Sequence, residues 1–277
     1  GPVQLVERVA RDRLVVDVLL EHQVVLELHV VIAEAAAVDE ELEAVDELEE
    51  RPLAGAVVDR VAEEQANNFG STIRKLQADA VIDLTCYTLE SARHLVAALR
   101  GQVQHFLHCG TIWIHGPSRE VPTTEEQSRD PISDYGRRKL EIEEYLLNEA
   151  RRSGFPATVL HPGHLVGVGW TPLNPAANFD PSVFSALAGE RQFALPNLGM
   201  ETLHHVHADD VALGFMKAIS NWSASAGESF HVVSSAAVTM RGYAEAVAGW
   251  FGKKAQLRFV PWEEWKESVS EKDASIT

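Results

Sequence analysis

From residue 69 onward the chain alternates apolar, β-branched runs with charged amphipathic ones, and this alternation restricts the fold more than any other feature. "STIRKLQ" reads as a helix, and "ADAVIDLTCY" reads as a strand buried within a parallel sheet. "LESARHLVAALRG" follows as an amphipathic helix closed by Gly101, and "VQHFLHCGTIWIHG" is the next strand, running into a loop. Residues 134–153 form a long helix rich in Glu and Arg that Gly154 ends, and "ATVLHPGHLVG" is a further strand with a Pro-Gly turn. Helix and strand joined by short connections predict an α/β protein with a doubly wound parallel sheet, whose ligands sit at the carboxyl ends of the strands. Thr111, Tyr135 and His164 all fall near that edge.

The first sixty-odd residues are of a different character. From Val3 to Ala66 there is no Ser, Thr, Asn, Lys, Cys, Met, Phe, Tyr or Trp. Residues 1–56 hold 14 acidic and 4 basic residues, so they carry −10 of the net −17. Every residue from Val3 to Ala66 except Ile32 can be encoded by a codon that begins with G or C, the bias of GC-rich DNA read in a wrong frame or strand. At face value, "VQLVE" reads as a strand, "LVVDVLLEHQ" as a helix, "VVLELHVVIA" as a second strand and "AVDEELEAVDELEE" as an acidic helix. Gly1 and Pro2 read as the scar of tag removal.

At 277 residues, 45% hydrophobic and 23% charged, the chain suits one substantial α/β domain, or a domain with a small annex. No apolar run reaches membrane-spanning length and no signal peptide is evident, so a cytoplasmic protein without a membrane partner is expected. The net charge of −17 argues against nucleic acid as a partner. A small molecule is the expected ligand, and a homodimer is left open as the assembly. Cys86 and Cys109 are too few for a disulfide framework or a cysteine metal site and read as reduced thiols in apolar segments.

"DYGRRK" places Tyr135 four residues before Lys139. At that spacing the two share a helix face, so an ammonium can favour the ionised phenol, although the pair also occurs by chance in many surface helices. The surrounding motifs weigh on the choice. "CGTIWIHG" at a strand end, "YGRRK", "LHPGHLVG" and "HHVHADDVA" stand in the order seen in the extended short-chain dehydrogenases/reductases. Over about residues 69–262 the chain resembles that superfamily, in particular its NAD-dependent epimerase/dehydratase family.

The resemblance implies a Rossmann-like cofactor domain over 3–170 and about 206–221. It also implies a C-terminal substrate-binding annex over 171–205 and 222–277, where "TPLNPAANFDPSVFSALAGE" breaks the alternation. It makes Tyr135 the general acid/base, with Lys139 lowering its pKa and holding the cofactor ribose, and gives Thr111 a hydrogen bond to the substrate oxygen. NAD or NADP is implied as cofactor, with Asp59, Leu84, Thr85, Tyr135, Lys139, Pro162, Gly163 and His164 beside it. His161 replaces the family's usual arginine. Thr111, Tyr135 and Lys139 are expected to converge on one cleft. The annex is expected to cap that cleft and choose the substrate through Asn178 and Phe179, whose replacement by alanine should alter preference more than stability.

In one place the chain departs from the family. No glycine occurs from Pro2 to Ala54, so the Gly-rich turn that admits a cofactor pyrophosphate is missing. By length its equivalent is "RVARDR", residues 8–13, where Arg8, Arg11 or Arg13 would have to supply charge instead. The resemblance also implies a closing helix beyond "SEKDASIT", so the chain is expected to stop short there. An NAD(P)-dependent enzyme and a cofactor-free binding, regulatory or lyase protein of the same fold both remain open. His204, His205 and His207 invite a zinc reading, but strand alternation puts only two on one face and no metal is expected. Asp209 and Asp210 read as helix N-caps, and the tryptophans of "PWEEW" as a packing face.

Overall fold

The structure, a computed structural model, describes residues 14–18, 56–59 and 68–276. In chain order it begins β1 (Leu14–Val18), β2 (Ala56–Asp59), α1 (Phe69–Lys75), β3 (Ala80–Asp83), α2 (Leu89–Leu99) and β4 (His105–Cys109). A short 3₁₀ turn (Ile112–Ile114) precedes α3 (Asp134–Ser153) and β5 (Ala157–Pro162). Then come β6 (His164–Val166), α4 (Ser182–Ala188), β7 (Phe193–Pro196), β8 (Thr202–Leu203) and β9 (His205–His207). The chain continues through α5 (Ala208–Ser220), α6 (Trp222–Ser225), β10 (Ser229–Val232), β11 (Val238–Thr239), α7 (Met240–Trp250), β12 (Leu257–Val260), α8 (Trp262–Glu267) and α9 (Glu271–Ile276). Two compact units result, one running to Gly163 and including Ala208–Val232, the other formed by His164–His207 and the residues from Val233.

The first unit holds a parallel sheet in the order β10-β5-β4-β3-β1-β2. Chain order reverses at β1, which has β2 on one side and β3 on the other, and such a reversal opens a crevice at the carboxyl ends of the strands. All residues of β3 and β5 are buried, as expected of largely apolar strands covered on both faces, and Asp83, Thr158 and His161 are the polar residues within them. Helix α2 buries Ala92, Leu95, Val96 and Leu99, a single stripe at helical spacing, and Thr88 caps it by accepting the Ser91 N–H. Helix α3 ends at Gly154, whose φ of 69° lies in the left-handed region. Its buried stripe contains two charged residues, Lys139 and Glu143.

Several expectations need correction. "LVVDVLLEHQ" was expected to be helical, but Leu14–Val18 is a strand paired on both sides, and its β-branched valines suit that place. "VQLVE", "VVLELHVVIA", the acidic helix and "RVARDR" lie outside the described residues. The expected annex segment 222–277 loses residues 222–232 to the first unit, because "SFHV" forms β10 and extends the sheet beside β5. The boundary expected at 170 falls at 163, because His164–Val166 pairs with His205–His207 inside the second unit. Helix α5 starts at Ala208, so Asp209 and Asp210 occupy its first turn, where they complement the helix dipole.

The second unit is built around Leu195, Leu203, Met240, Val247 and Trp265. Trp262 and Trp265 stack at 5.5 Å, and the buried Trp265 donates its indole N–H to the Ala194 carbonyl at 3.1 Å. His204 and His205 each place Nε2 against a backbone carbonyl, Ser234 at 2.7 Å and Leu173 at 3.2 Å. Among the described residues no helix is long and apolar enough to cross a membrane.

In the first unit Phe106 is fully buried and packs against Phe155 at 5.4 Å. Phe106→Ala is expected to cost about 3–5 kcal/mol, read as a lower midpoint in chemical denaturation followed by far-UV circular dichroism.

Candidate active site

Strand β4 leaves the sheet through Gly110, whose N–H makes a ladder bond of 2.7 Å to the Leu160 carbonyl. A Cβ at this position would lie 2.4 Å from His161 Nδ1, so only glycine fits beneath that ring. Thr111 follows in extended conformation, and its hydroxyl accepts the Trp113 N–H at 3.3 Å to start the 3₁₀ turn. Helix α3 begins nearby. Ser133 caps it by accepting the Gly136 N–H at 3.0 Å, and a Cβ on Gly136 would lie 2.7 Å from the Trp113 carbonyl. The helix start is thus pressed against the loop that leaves β4, which brings Tyr135 into a side-chain hydrogen bond with Thr111. The Tyr135 ring meets Trp113 edge-on at 6.5 Å and Tyr87 at 6.3 Å.

Lys139 stands one turn along α3 and is buried, with Nζ donating to the Cys109 carbonyl at 2.8 Å and lying 4.9 Å from the centre of the Tyr87 ring. The structure therefore brings Thr111, Tyr135 and Lys139 together at the carboxyl end of β4. It does not show the lowered phenol expected from the Tyr–Lys spacing. Burial pushes Tyr135 above its ordinary value, Cys109 and Tyr87 add to the rise, and only the Thr111 hydrogen bond opposes it. The residue is nonetheless 43% exposed, and at neutral pH its phenol holds its proton as an ordinary tyrosine does.

Behind Thr111 lies a polar network absent from the expected site. Thr111 N–H donates to His161 Nδ1 at 3.0 Å, and His161 Nε2 faces Glu143 Oε1 at 3.2 Å. Glu143 receives a two-pronged contact from Arg129, at 3.0 and 2.9 Å. Burial alone would raise the Glu143 carboxyl, but the hydrogen bonds from His161 and Arg129 and the Arg129 guanidinium charge prevail and bring it down to about 2. Beside them His115 and His231 join Nε2 to Nε2 at 2.9 Å, while Glu125 accepts the His231 backbone N–H at 2.7 Å. Burial pulls His231 down to about 4 and lowers His115 as well. One signal for Glu143 was available in the sequence, since it continues the four-residue step of Tyr135 and Lys139. The loop residues Glu125 and Arg129 carried none.

The remaining expected residues are dispersed. Asp59 ends β2, and Leu84 and Thr85, both buried, follow β3. Pro162 ends β5, and Gly163 N–H donates to the Val232 carbonyl at 3.2 Å. His164 opens β6 in the second unit, brought down to about 4 by burial and then by His205 and His204. Asn178 is corrected. Its side chain is buried and spent within its own loop, accepting from Asn174 Nδ2 at 2.6 Å and from Asp180 N–H at 3.1 Å. Its neighbour Phe179 is 47% exposed.

These donors fit one end of a nicotinamide nucleotide. A buried ammonium, a phenol and the strand-end hydroxyls of Thr85 and Thr111 line the carboxyl edge of the sheet, near where the strand order reverses. Residues 19–55, which follow β1, lie outside the described residues, and their sequence holds no glycine before Gly55.

A family model described as "NAD dependent epimerase/dehydratase family" matches residues 25–232. The chain is 26% identical over 178 residues, 61% of its length, to the chloroplast stem-loop binding protein of 41 kDa b of Arabidopsis thaliana, covering 42% of that protein. It is 27% identical over 143 residues, 52% of its length, to 2'-dehydrokanamycin reductase of Streptomyces kanamyceticus, covering 40% of that protein. The chain thus spans about two fifths of each curated relative. Its fold matches that of dTDP-glucose 4,6-dehydratase from Bacillus anthracis in complex with NAD, with a TM-score of 0.69 at 12% identity, covering 90% of this chain and 84% of that one.

Two outcomes follow from this geometry. Glu143 has a folded value of about 2 against an ordinary 4.5, so its stabilising contribution is complete above that ordinary value and is lost as pH falls toward 2. Glu143→Gln is expected to flatten this acid limb in denaturation midpoints taken across the range. Asn178→Ala, which leaves buried donors of its loop unmatched, is expected to cost about 1–3 kcal/mol in the same assay.

Proposed function

This chain belongs to the NAD-dependent epimerase/dehydratase family, and from that membership we propose that it is an NAD(P)-dependent oxidoreductase, epimerase or dehydratase acting on a sugar nucleotide or similar hydroxyl-bearing metabolite. The convergence of Thr111, Tyr135 and Lys139 carries the reading. Lys139, with Thr85 and Tyr135, would hold the nicotinamide ribose, and Asp59 at the end of β2 would take the adenosine ribose hydroxyls. A bound nicotinamide supplies hydride uptake from, and return to, a substrate carbon. Thr111 then orients the substrate oxygen by a hydrogen bond. Tyr135 moves a proton to or from that oxygen as general acid or base. At neutral pH the phenol holds its proton and can deliver it to a carbonyl oxygen as that oxygen becomes a hydroxyl. In the base direction the Lys139 ammonium offsets the cost of the phenolate.

A second reading has one observation in its favour. The chain lacks glycine from Pro2 to Ala54, as a cofactor-free binding, regulatory or lyase protein of this fold would allow.

Titration of the purified protein with NADH and NADPH, followed by nicotinamide fluorescence, separates the two readings. Binding of NADH in preference to NADPH is expected, because the Asp59 carboxylate would repel a 2′-phosphate. Failure of both to bind supports the cofactor-free reading. In turnover with a panel of UDP- and dTDP-hexoses, Tyr135→Phe is expected still to bind NADH, more weakly for the lost ribose contact, while activity falls by about 10²–10⁴. Lys139→Met is expected to weaken NADH binding as well.

A further inference from the structure

We propose that His161 is a positioning residue, held by Glu143 and Arg129 so that its Nδ1 fixes the Thr111 amide and thereby sets the Thr111 hydroxyl against Tyr135. The proposal rests on the reading of Thr111 and Tyr135 as the reacting pair.

Backbone pairing supplies the first argument. The β4–β5 ladder ends with Gly110 N–H on the Leu160 carbonyl. One residue later the Thr111 N–H has left the ladder, and the His161 side chain accepts it at 3.0 Å in place of a backbone carbonyl. A buried N–H needs an acceptor, so this ring governs the conformation in which Thr111 leaves the strand.

The second argument concerns the ring itself. Because Nδ1 accepts from an N–H, the ring's own hydrogen must be on Nε2, which faces Glu143 Oε1 at 3.2 Å. Glu143 is 1% exposed and is kept ionised by Arg129. An ionised carboxylate can only accept, so it locks the tautomer in which Nδ1 is free to accept from Thr111. Gly110 gives the third argument, since any side chain there would displace the ring. The other groups facing His161 are His231, with ring centres 6.0 Å apart, and His115 beyond it.

The test compares His161→Asn with His161→Leu. Asparagine Oδ1 can stand where Nδ1 stands and accept the Thr111 N–H, whereas leucine fills the space without an acceptor. Three readouts are taken on the full chain: hydrogen exchange at the Thr111 amide, NADH affinity, and kcat and KM with whichever hexose nucleotide the wild type turns over best. For His161→Leu we expect Thr111 exchange at least about tenfold faster and kcat lower by about 10- to 100-fold at unchanged KM and NADH affinity. His161→Asn should stay within about threefold of wild type in each. Should the leucine variant fail to fold, Glu143→Gln is read in its place, with faster Thr111 exchange and a lower kcat at constant KM expected from the unlocked tautomer.

If His161→Asn is as impaired as His161→Leu, or if both lose only melting temperature while exchange and kcat hold, the positioning role is overturned. A failure of the functional reading looks different, since wild type would then bind neither NADH nor NADPH while Thr111 exchange still responded to His161 as described.

Discussion

Two ionisable side chains on one face of helix Asp134–Ser153, Lys139 and Glu143, are almost wholly removed from water, and the site depends on how their charges are compensated. An unpartnered buried charge would cost several kcal/mol, so each must find a partner at a definite place. Lys139 takes the Cys109 carbonyl at the end of β4. Glu143 takes Arg129 from the preceding loop and His161 from β5. Satisfying both at once leaves one seat for the helix relative to two adjacent strand ends. Tyr135, four residues before Lys139, is carried to Thr111 by that seat. The glycines at 110 and 136 are the steric consequence, since a Cβ at either would prevent the approach.

The same burial that fixes the geometry also sets the proton chemistry. Packing of Tyr135 against its neighbours favours the neutral phenol, although the residue stays 43% exposed. The hydrogen bonds from His161 and Arg129 keep Glu143 ionised despite its burial. Two acids on one helix face are thereby driven in opposite directions by their surroundings, one toward protonation and one toward ionisation.

The alternating core was legible because each strand and helix reports its own periodicity. "ADAVIDLTCY", "LESARHLVAALRG" and the helix of residues 134–153 appear much where hydrophobic spacing placed them. One strand was read as helix and another was placed in the annex for the opposite reason. Leu14–Val18 is short, apolar and flanked by more apolar sequence, so local pattern favours a longer helix and only its two sheet neighbours make it a strand. "SFHV" is too brief to show any period, and the free edge of β5 defines it. Asn178 was misplaced because an asparagine in a polar loop looks like a ligand contact until its burial against Asn174 is seen.

By itself the sequence determined the α/β class, the helix that carries Tyr135 and Lys139 on one face, and the resemblance that put Thr111 beside them. These are local or ordered along the chain, so residue spacing encodes them. Tertiary structure alone decided that Arg129, Glu143, His161 and Thr111 form one hydrogen-bonded line, and that burial raises the Tyr135 phenol. The physical reason is that hydrogen-bond partners and desolvation are set by which chain segments are neighbours in space, and His161 lies 50 residues from the amide it holds.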